Sequence, residues 1–186
     1  MVNNYNEVLH NNATIETQRL ILRKFEGGDA EDVLQWASDE QVLEYLIWEG
    51  AFTLEQARAG IYDYHLSRPG IWAIQLKEGG KCIGCIDLRL IPEHEKTEFG
   101  YALNRLYWDK GYATEALSAV LRLCFEKLEL NRVEAGHFAG NEASGRVMEK
   151  AGMKKEGCFA KSQKIKGVFR DLVYYGITKD DYFSSR

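Results

Sequence analysis

Residues 98–117, EFGYALNRLYWDKGYATEAL, join a strand-like segment to the strongest helical pattern of the chain. Up to Leu103 the apolar residues alternate, which is typical of a strand. Beyond Gly111 they recur at helical spacing on one face, at Leu117, Val120, Leu121, Cys124, Phe125 and Leu128. The sequence therefore predicts a strand, a short loop and a long helix. Because Gly111 and Ala113 are small, the first backbone amides of that helix stay accessible.

The start of that helix has two interpretations. A helix amino terminus carries unpaired N–H groups and the positive end of the helix dipole, so a phosphate could approach bare amides there. A lone glycine also occurs at such a place simply because the turn needs its backbone freedom. The stretch has neither the G-K-[ST] of a P-loop nor G-x-G-x-x-G. The residues alone leave both interpretations open.

The rest of the chain alternates strand-like and helix-like segments. Period-two patterns predict strands at residues 17–25, 71–76, 82–91, 97–103, 132–139, 157–165 and 167–177. Helical spacing and capping residues predict helices from near Asp29, from Thr53 to about residue 68, after Gly111, and from Asn141 to Gly152. This order predicts an α/β fold, a mixed sheet with helices packed on it, in a single domain over residues 1–186 with its core at about 14–183.

Composition narrows the classes of protein. The 186 residues are 45% hydrophobic and 28% charged, with a net charge of -4, which is ordinary for a globular protein and argues against a nucleic-acid groove binder. Residues 1–16 lack the pattern of a secretory signal, and no apolar run is long enough to span a membrane. The cysteines are Cys82, Cys85, Cys124 and Cys158, without the paired spacing of a zinc site. We expect buried thiols in a reducing cytoplasm and no bound metal.

Two polar residues are candidates for chemistry. Glu98 shares a strand face with Gly100 and Ala102, so a carboxylate lies beside a slot that a thin chain could occupy. Ser144 falls on the same face of its helix as Met148. Each has an ordinary alternative, a solvated charge on a half-exposed strand for Glu98 and a packing or capping hydroxyl for Ser144. The pattern alone does not decide between them.

From Thr17 to about Tyr182 the order of elements and the local motifs resemble the GNAT superfamily of acyl-CoA N-acyltransferases, in particular its ribosomal-protein-alanine N-acetyltransferase (RimJ/RimL-type) branch. The motifs are TQRLILR, EFGYALNRLYWDKGYATEAL, NRVEAGHFAGNEASGRVMEKAGMKKEG and RDLVYYGI. The resemblance implies a mostly antiparallel sheet with a splay between its central strands and helices on both faces. It also implies acetyl-CoA as co-substrate and, since related enzymes are often dimers, a homodimer.

The resemblance further implies how acetyl-CoA is bound. The loop and helix start hold the pyrophosphate through backbone amides, and the pantetheine enters between strands 99–103 and 132–139. Asn141 binds the pantetheine arm, and Ser144 lies near the sulfur. The cofactor residues implied in this way are Tyr101, Ala102, Leu103, Trp108, Asp109, Lys110, Gly111, Tyr112, Ala113, Thr114, Asn141 and Ser144.

The sequence departs from the family pattern at two places. Trp108 stands first in the superfamily's [RQ]-x-x-G-x-[GA], a replacement that the branch often tolerates. Met148 occupies the place of the tyrosine that donates a proton in many GNAT enzymes. The second departure gives Ser144 the role of donor to the CoA thiolate. Glu98 is the candidate general base, directly or through a water.

The acceptor is the least determined part. Residues 39–52 and the last two strands carry aromatic and charged residues that suit an amine, although a core would use the same aromatic residues. We expect direct acetyl transfer to a primary amine, in first place the α-amine of a protein or peptide. The alternatives are a small-molecule amine (polyamine, aminoglycoside or amino-acid metabolite), a CoA-binding protein without turnover, and a general nucleotide-binding domain.

Overall fold

The structure is a computed structural model that describes residues 4–184. The ends of the predicted domain, residues 1–3 and 185–186, lie outside the described residues. Eight strands form one sheet in the order β1-β2-β3-β4-β5-β6-β8-β7. Their bounds are β1 Ile15–Glu16, β2 Leu20–Arg23, β3 Ile71–Leu76, β4 Cys82–Ile91, β5 Lys96–Leu103, β6 Arg132–Phe138, β7 Lys154–Ile165 and β8 Val168–Thr178.

Neighbouring strands are antiparallel except β5 and β6, which run parallel. A parallel pair needs a crossover, and the long helix between β5 and β6 supplies it. The described helices are α1 Tyr5–Asn11, α2 Ala30–Ala37, α3 Glu40–Leu43, α4 Leu54–Gly60, α5 Tyr112–Glu126, α6 Glu142–Lys150 and α7 Lys179–Ser184.

The sheet is covered on both faces, which β3 shows most directly. Its side chains alternate, so Trp72 and Ile74 join one apolar cluster while Ile71 and Ala73 join the other. The first cluster contains residues of α1, α5, α6 and α7, and the second contains residues of α2 and α4. The predicted mixed, mostly antiparallel sheet with helices on both faces is confirmed.

The segment boundaries differ from the pattern in several places. The strand predicted at residues 17–25 is β2 and spans only Leu20–Arg23, because the Thr17 hydroxyl and backbone close a tight turn on Leu20. The helix expected from Thr53 to about residue 68 is α-helical only to Gly60 and continues as a π-helical turn, Ile61–His65. Three short helices, α1, α3 and α7, were not predicted, since segments this short carry little periodicity.

One prediction about the cysteines is wrong. Cys82 and Cys124 are buried and Cys85 is half-buried, but Cys158 is exposed. Cys158 lies on β7, which is the edge strand of the sheet, and most residues of that strand are exposed. Burial raises the pKa of the Cys85 thiol to about 12 and raises that of Cys124 further. Neither thiol is therefore a nucleophile at neutral pH, as the expectation of direct transfer requires.

Candidate active site

The centre of the sheet opens where β5 and β6 separate. These strands pair at three positions, Lys96 with Arg132, Thr97 with Val133, and Glu98 with Glu134. Beyond this point β5 remains paired with β4 as far as Leu103, and β6 remains paired with β8 as far as Phe138. The splay implied by the family resemblance is therefore present in the sheet, between residues 99–103 and 135–138.

Backbone groups point into this opening from β5. The Asn104 N–H donates to the Ile83 carbonyl oxygen at 2.7 Å, so in the antiparallel alternation Asn104 and Ala102 direct their backbone bonds toward β4. Tyr101 and Leu103 then direct their N–H and C=O groups the other way. A bound chain of amides could pair with these groups as an additional strand would.

The amino end of α5 lies at one end of the opening. Gly111 is its N-cap, in the left-handed region at φ 80°, and no side chain caps the helix there. The first amides, those of Tyr112, Ala113 and Thr114, have no partner within the helix. Asp109 is also left-handed, at φ 57°, and such turns direct successive N–H groups to one side. The sequence interpretation of bare amides at this place holds in the structure.

Contacts of two side chains, which the pattern did not reveal, fix the loop. The Trp108 indole Nε1 donates to the carbonyl oxygen of Leu103 at 2.8 Å, so it closes the loop onto the end of β5. Arg19 donates to Glu115 at 2.6 Å and to the Lys110 carbonyl at 3.0 Å. These contacts set the helix start without occupying its amides. Sequence reasoning could not find the Arg19 contact because the partners are far apart in the chain.

A cavity of about 540 Å³ connects the helix start with the opening, a volume within the usual range of ligand sites. Eleven of the twelve predicted cofactor residues line it: Tyr101, Ala102, Leu103, Trp108, Asp109, Gly111, Tyr112, Ala113, Thr114, Asn141 and Ser144. Lys110 is not among the lining residues; its ammonium nitrogen lies over the ring of Tyr107, 5.4 Å from the ring centroid. The cavity is also bounded by residues of the segment 39–52, including Tyr45, which the sequence assigned to the acceptor side.

Ser144 meets a second hydroxyl inside the cavity. Asn141 is the N-cap of α6 and its Oδ1 accepts from the Ser144 N–H at 3.4 Å. This bond leaves the Asn141 amide NH2 able to donate to a bound molecule. The Tyr101 hydroxyl donates to Ser144 Oγ at 3.1 Å, and burial raises the pKa of Tyr101, so it stays protonated. Ser144 Oγ therefore accepts one hydrogen bond and can direct its own O–H toward the cavity.

Glu98 lies outside that cavity, on the other face of the sheet. Side chains alternate along β5, so Glu98 points away from the side on which Tyr101 meets Ser144. Its Oε1 accepts from the Tyr174 hydroxyl at 3.3 Å, and its Oε2 is 3.8 Å from Arg89 Nε. The two catalytic candidates, Glu98 and Ser144, therefore lie on opposite faces of the sheet. The opening between β5 and β6 connects these two faces.

The proposed acceptor segments are mostly exposed rather than core. Trp48, Phe52, Phe159 and Phe169 have exposed side chains, so the alternative of core packing does not apply to them. Tyr45 is half-buried and carries the Arg170 guanidinium over its ring at 5.4 Å. His137 is buried, and its Nδ1 lies 2.9 Å from the Phe138 carbonyl oxygen.

Features of two other kinds of protein, membrane-spanning helices and metal-binding clusters, do not occur among residues 4–184. None of the helices in this range is both long and apolar enough to cross a membrane. Groups of three or more histidine, cysteine, aspartate or glutamate side chains placed to hold a metal ion are also absent from it.

Comparison with known proteins adds the family. Residues 19–154 match the family model described as acetyltransferase (GNAT) domain. The relative "Uncharacterized N-acetyltransferase YoaA" from Bacillus subtilis (strain 168) is 34% identical over 170 residues, 89% of this chain and 96% of the relative. The predicted GNAT likeness is confirmed.

A second relative and a solved structure agree with this match. "Putative ribosomal N-acetyltransferase YdaF", also from Bacillus subtilis (strain 168), is 36% identical over 114 residues, 61% of this chain and 62% of the relative. The crystal structure of an acetyltransferase (GNAT family) from Bacillus anthracis superposes with a TM-score of 0.82 at 34% identity, covering 90% of this chain and 99% of that one.

Proposed function

We propose, on the premise that this chain belongs to the GNAT acetyltransferase family, that its cavity binds acetyl-CoA and that it acetylates the α-amine of a protein or peptide by direct transfer. Acetyl transfer to nitrogen is the activity of the family. The acceptor and the residue roles are our proposal. The observation that carries it is the opening between β5 and β6, which leads from the bare amides of α5 to the Tyr101–Ser144 pair.

The residues of the cavity fit acetyl-CoA. The amides of Tyr112, Ala113 and Thr114 would take the diphosphate, since helix amino termini bind anions through N–H groups and the helix dipole. The backbone groups of Tyr101 and Leu103 would pair with the amides of the pantetheine arm. A Cβ added at Gly111 would make only ordinary contact with Arg19 Nη2 at 3.4 Å, so the positive φ of 80° is what favours glycine at this entrance.

Acetyl-CoA would supply the activated acetyl group, and the chain would supply alignment and proton handling. The unperturbed pKa of an α-amine is near 8, so roughly a tenth is neutral at pH 7, whereas a lysine amine with a pKa of about 10.4 is far less so. A carboxylate such as Glu98, acting directly or through a water, is a base suited to the α-amine. The Leu103 N–H points into the opening and would stabilise a developing oxyanion.

Tyr101 adds a hydrogen-bond partner to Ser144, the donor to the thiolate. Met148 is buried at the place where many GNAT enzymes carry a tyrosine, so that side chain cannot donate. Tyr101 reaches from β5 to Ser144 instead. We propose that Ser144 donates a hydrogen bond to the departing thiolate while it accepts one from Tyr101. A thiolate with a pKa near 8.5 is a good leaving group and needs no stronger acid.

The acceptor proposal is supported by two observations. A relative is named a putative ribosomal N-acetyltransferase. Four aromatic side chains of residues 39–52 and of the β7–β8 hairpin are exposed rather than packed in the core: Trp48, Phe52, Phe159 and Phe169. The homodimer and the cytoplasmic location expected from the sequence stay predictions.

Thermal unfolding with different ligands tests the cofactor proposal. Stabilisation follows RT ln(1 + [L]/Kd), so CoA or acetyl-CoA at ~100 times Kd should add about 2.7 kcal/mol. ATP and NAD should shift the midpoint much less, because they lack the pantetheine that fills the opening. A shift with ATP or NAD and none with CoA would contradict the proposal and favour a general nucleotide-binding domain.

A further inference from the structure

Tyr174 lies between two carboxylates at the point where β5 and β6 separate. Its hydroxyl donates to Glu98 Oε1 at 3.3 Å. Glu134 stands on the same face of β6, two positions before Gly136, the register partner of Tyr174, so its charge acts on the same hydroxyl. Glu98 and Glu134 are register partners across the β5–β6 pair, so their side chains stand side by side on one face. A hydroxyl has one proton, and it can serve one carboxylate at a time.

The two carboxylates are held very differently. Glu134 is buried and each of its oxygens has a cation, Lys96 at 2.5 Å and Arg132 at 2.5 Å. Burial would raise the pKa of Glu134, but the hydrogen bonds from Arg132 and Lys96 outweigh it and hold the pKa below the usual range. Glu134 therefore stays charged and remains a hydrogen-bond acceptor near neutral pH.

Glu98 has no such clamp. Its side chain is 40% exposed, and its nearest cation, Arg89, is 3.8 Å away and is itself bound to Asp87 at 2.9 Å. The Tyr174 hydroxyl is the closer polar contact. Burial and the charges of Glu134 and Glu98 raise the pKa of Tyr174, so its proton is retained. One carboxylate is thus fixed by two cations, while the other is held chiefly by a rotatable hydroxyl.

The charged groups around Glu98 come from every strand packed beside it. Arg89 and Asp87 belong to β4, Lys96 to β5, and Arg132 and Glu134 to β6. Glu156 of β7 pairs with Arg132, and Arg68 reaches Asp87 from the segment after α4. These neighbours are tied to one another by ion pairs, so Tyr174 is the partner that can change when Glu98 changes charge.

We propose that Tyr174 is a positioning residue for Glu98, whose single hydroxyl proton turns between Glu98 and Glu134 as Glu98 gains and loses the proton of the amine. This inference rests on the proposed function. With Glu98 ionised, the hydroxyl donates to Glu98 and aims the carboxylate. When the amine proton moves to Glu98, the Tyr174 hydroxyl turns to Glu134 and its oxygen accepts from the new Glu98 O–H. No proton leaves Tyr174, and loss of the proton from Glu98 restores the start.

The variant Tyr174→Phe keeps the ring and removes the hydroxyl. A charged carboxylate that loses a hydrogen-bond donor is disfavoured relative to its protonated form. The acid limb of the kcat profile should move to higher pH by about half a unit to one unit, because one hydrogen bond to a part-exposed carboxylate is worth roughly that much. Affinity for CoA should be unchanged, since Tyr174 does not line the cavity.

Tyr175→Phe is the matched control. It removes the neighbouring hydroxyl of the same strand, which donates to Glu149 at 3.1 Å on the opposite face, and its acid limb should superimpose on that of the wild-type enzyme. A Tyr174→Phe profile that also superimposes on wild type would overturn the inference, as would an equal shift in both variants.

A measurement without turnover separates this inference from the proposed function. The carbon resonance of the Glu98 carboxyl, assigned by its loss in Glu98→Gln, can be followed against pH in wild-type and Tyr174→Phe protein. A midpoint displaced to higher pH in Tyr174→Phe supports the inference even if the wild-type protein acetylates none of the amines offered. Coincident midpoints overturn it even if acetylation is found.

Discussion

The two faces of the opening between β5 and β6 are built in different ways. On the cavity face the groups are backbone amides and a pair of hydroxyls fixed by contacts within the chain, Trp108 to Leu103 and Tyr101 to Ser144. On the opposite face Glu98 stands in a network of charged side chains, and the exposed ring of Phe159 packs edge-on against Tyr174 there. One face is complete in the free protein, whereas the other presents surface that a partner could cover.

This difference suits a two-substrate enzyme whose donor is common to the family and whose acceptor is its own. Backbone amides recognise a diphosphate without any particular side chain, so the cavity face tolerates replacements such as Trp108. Recognition of an acceptor depends on side chains, and residues 39–52 and the β7–β8 hairpin expose aromatic side chains that an acceptor could contact. Substitutions should therefore separate into those that change CoA binding and those that change turnover or acceptor binding.

Glu98→Gln should have the largest effect. A positioned general base contributes about 10²–10⁴ in rate, and we expect turnover to fall at least tenfold, with the loss shrinking as the pH rises and more amine is neutral. Steady-state kinetics against pH measures this, with CoA affinity as the unaffected quantity. Glu93→Gln, an exposed glutamate in the turn before β5, is the control. Wild-type turnover in Glu98→Gln would remove the base from this face.

Ser144→Ala and Tyr101→Phe should act on the same step. Loss of the donor to the thiolate should slow turnover about tenfold, and loss of the hydroxyl behind it somewhat less. Because the two groups are bonded to each other, the double variant should be no slower than Ser144→Ala, a non-additivity expected of contacting residues. Single-turnover rates measure all three, with Ser118→Ala of α5 as the control. Additive losses would show that Tyr101 acts independently of Ser144.

Gly111→Val should weaken CoA binding on the cavity face. A β-branched residue is strained at φ 80°, and relief of that strain would displace the turn that presents the first amides, so we expect Kd for CoA to rise about tenfold. Calorimetric titration measures it. Gly79→Val places the same strain at φ 77° in the β3–β4 turn, where an added Cβ meets nothing within 4 Å. An equal loss of affinity in both variants would point to general destabilisation rather than to the helix start.

Phe159→Ala should change only the acceptor side. The side chain is 55% exposed on the β7–β8 hairpin and lies against Tyr174 on the face of Glu98, so its removal should leave the free energy of unfolding within about 0.5 kcal/mol of wild type. We expect KM for a peptide acceptor to rise several-fold while Kd for CoA is constant. Phe183→Ala, with an exposed ring on α7, is the control. A change in CoA affinity with no change in peptide KM would contradict the division between the two faces.

Glu115→Gln should give the smallest effect, one of stability against pH. Burial would raise the pKa of Glu115, but hydrogen bonds from Thr17 and Arg19 outweigh it and place the pKa below its usual 4.5. A lowered carboxylate pKa contributes stability that is present above pH 4.5 and is lost as the pH falls through the folded value. Denaturation curves should therefore lose stability below pH 4.5 more steeply for wild type than for Glu115→Gln. Parallel curves would exclude this contribution.

The sequence predicted the parts of the molecule that depend on local pattern. The long helix, its bare start at Gly111, the Asn141 cap and the alternation of β5 all follow from spacing along a few residues. The splay was predicted only through family resemblance, because no local pattern marks where two strands stop pairing. The resemblance also implied Lys110 as a cofactor residue; its side chain lies over Tyr107 and does not line the cavity, and its role stays a prediction.

Contacts between distant segments could not be predicted. Tyr101 and Ser144 are 43 positions apart, and Tyr174 and Glu98 are 76 apart. Each pair meets because the sheet and α6 bring the residues together, and neither residue type is unusual for its element. Cys158 was wrongly expected to be buried because residue type was the only guide, and an edge strand is recognised only once the order of the sheet is known.

Release of free thiol from acetyl-CoA, measured with two matched peptides, tests the central proposal most directly. One peptide has a free α-amine and no lysine, and the other has a blocked amino terminus and one lysine. The proposed site, with a carboxylate base suited to an amine of lower pKa, predicts thiol release above background with the first peptide and a product acetylated at its α-amine. CoA binding without thiol release from either peptide or from a panel of small amines, or equal rates with the blocked peptide, would contradict it.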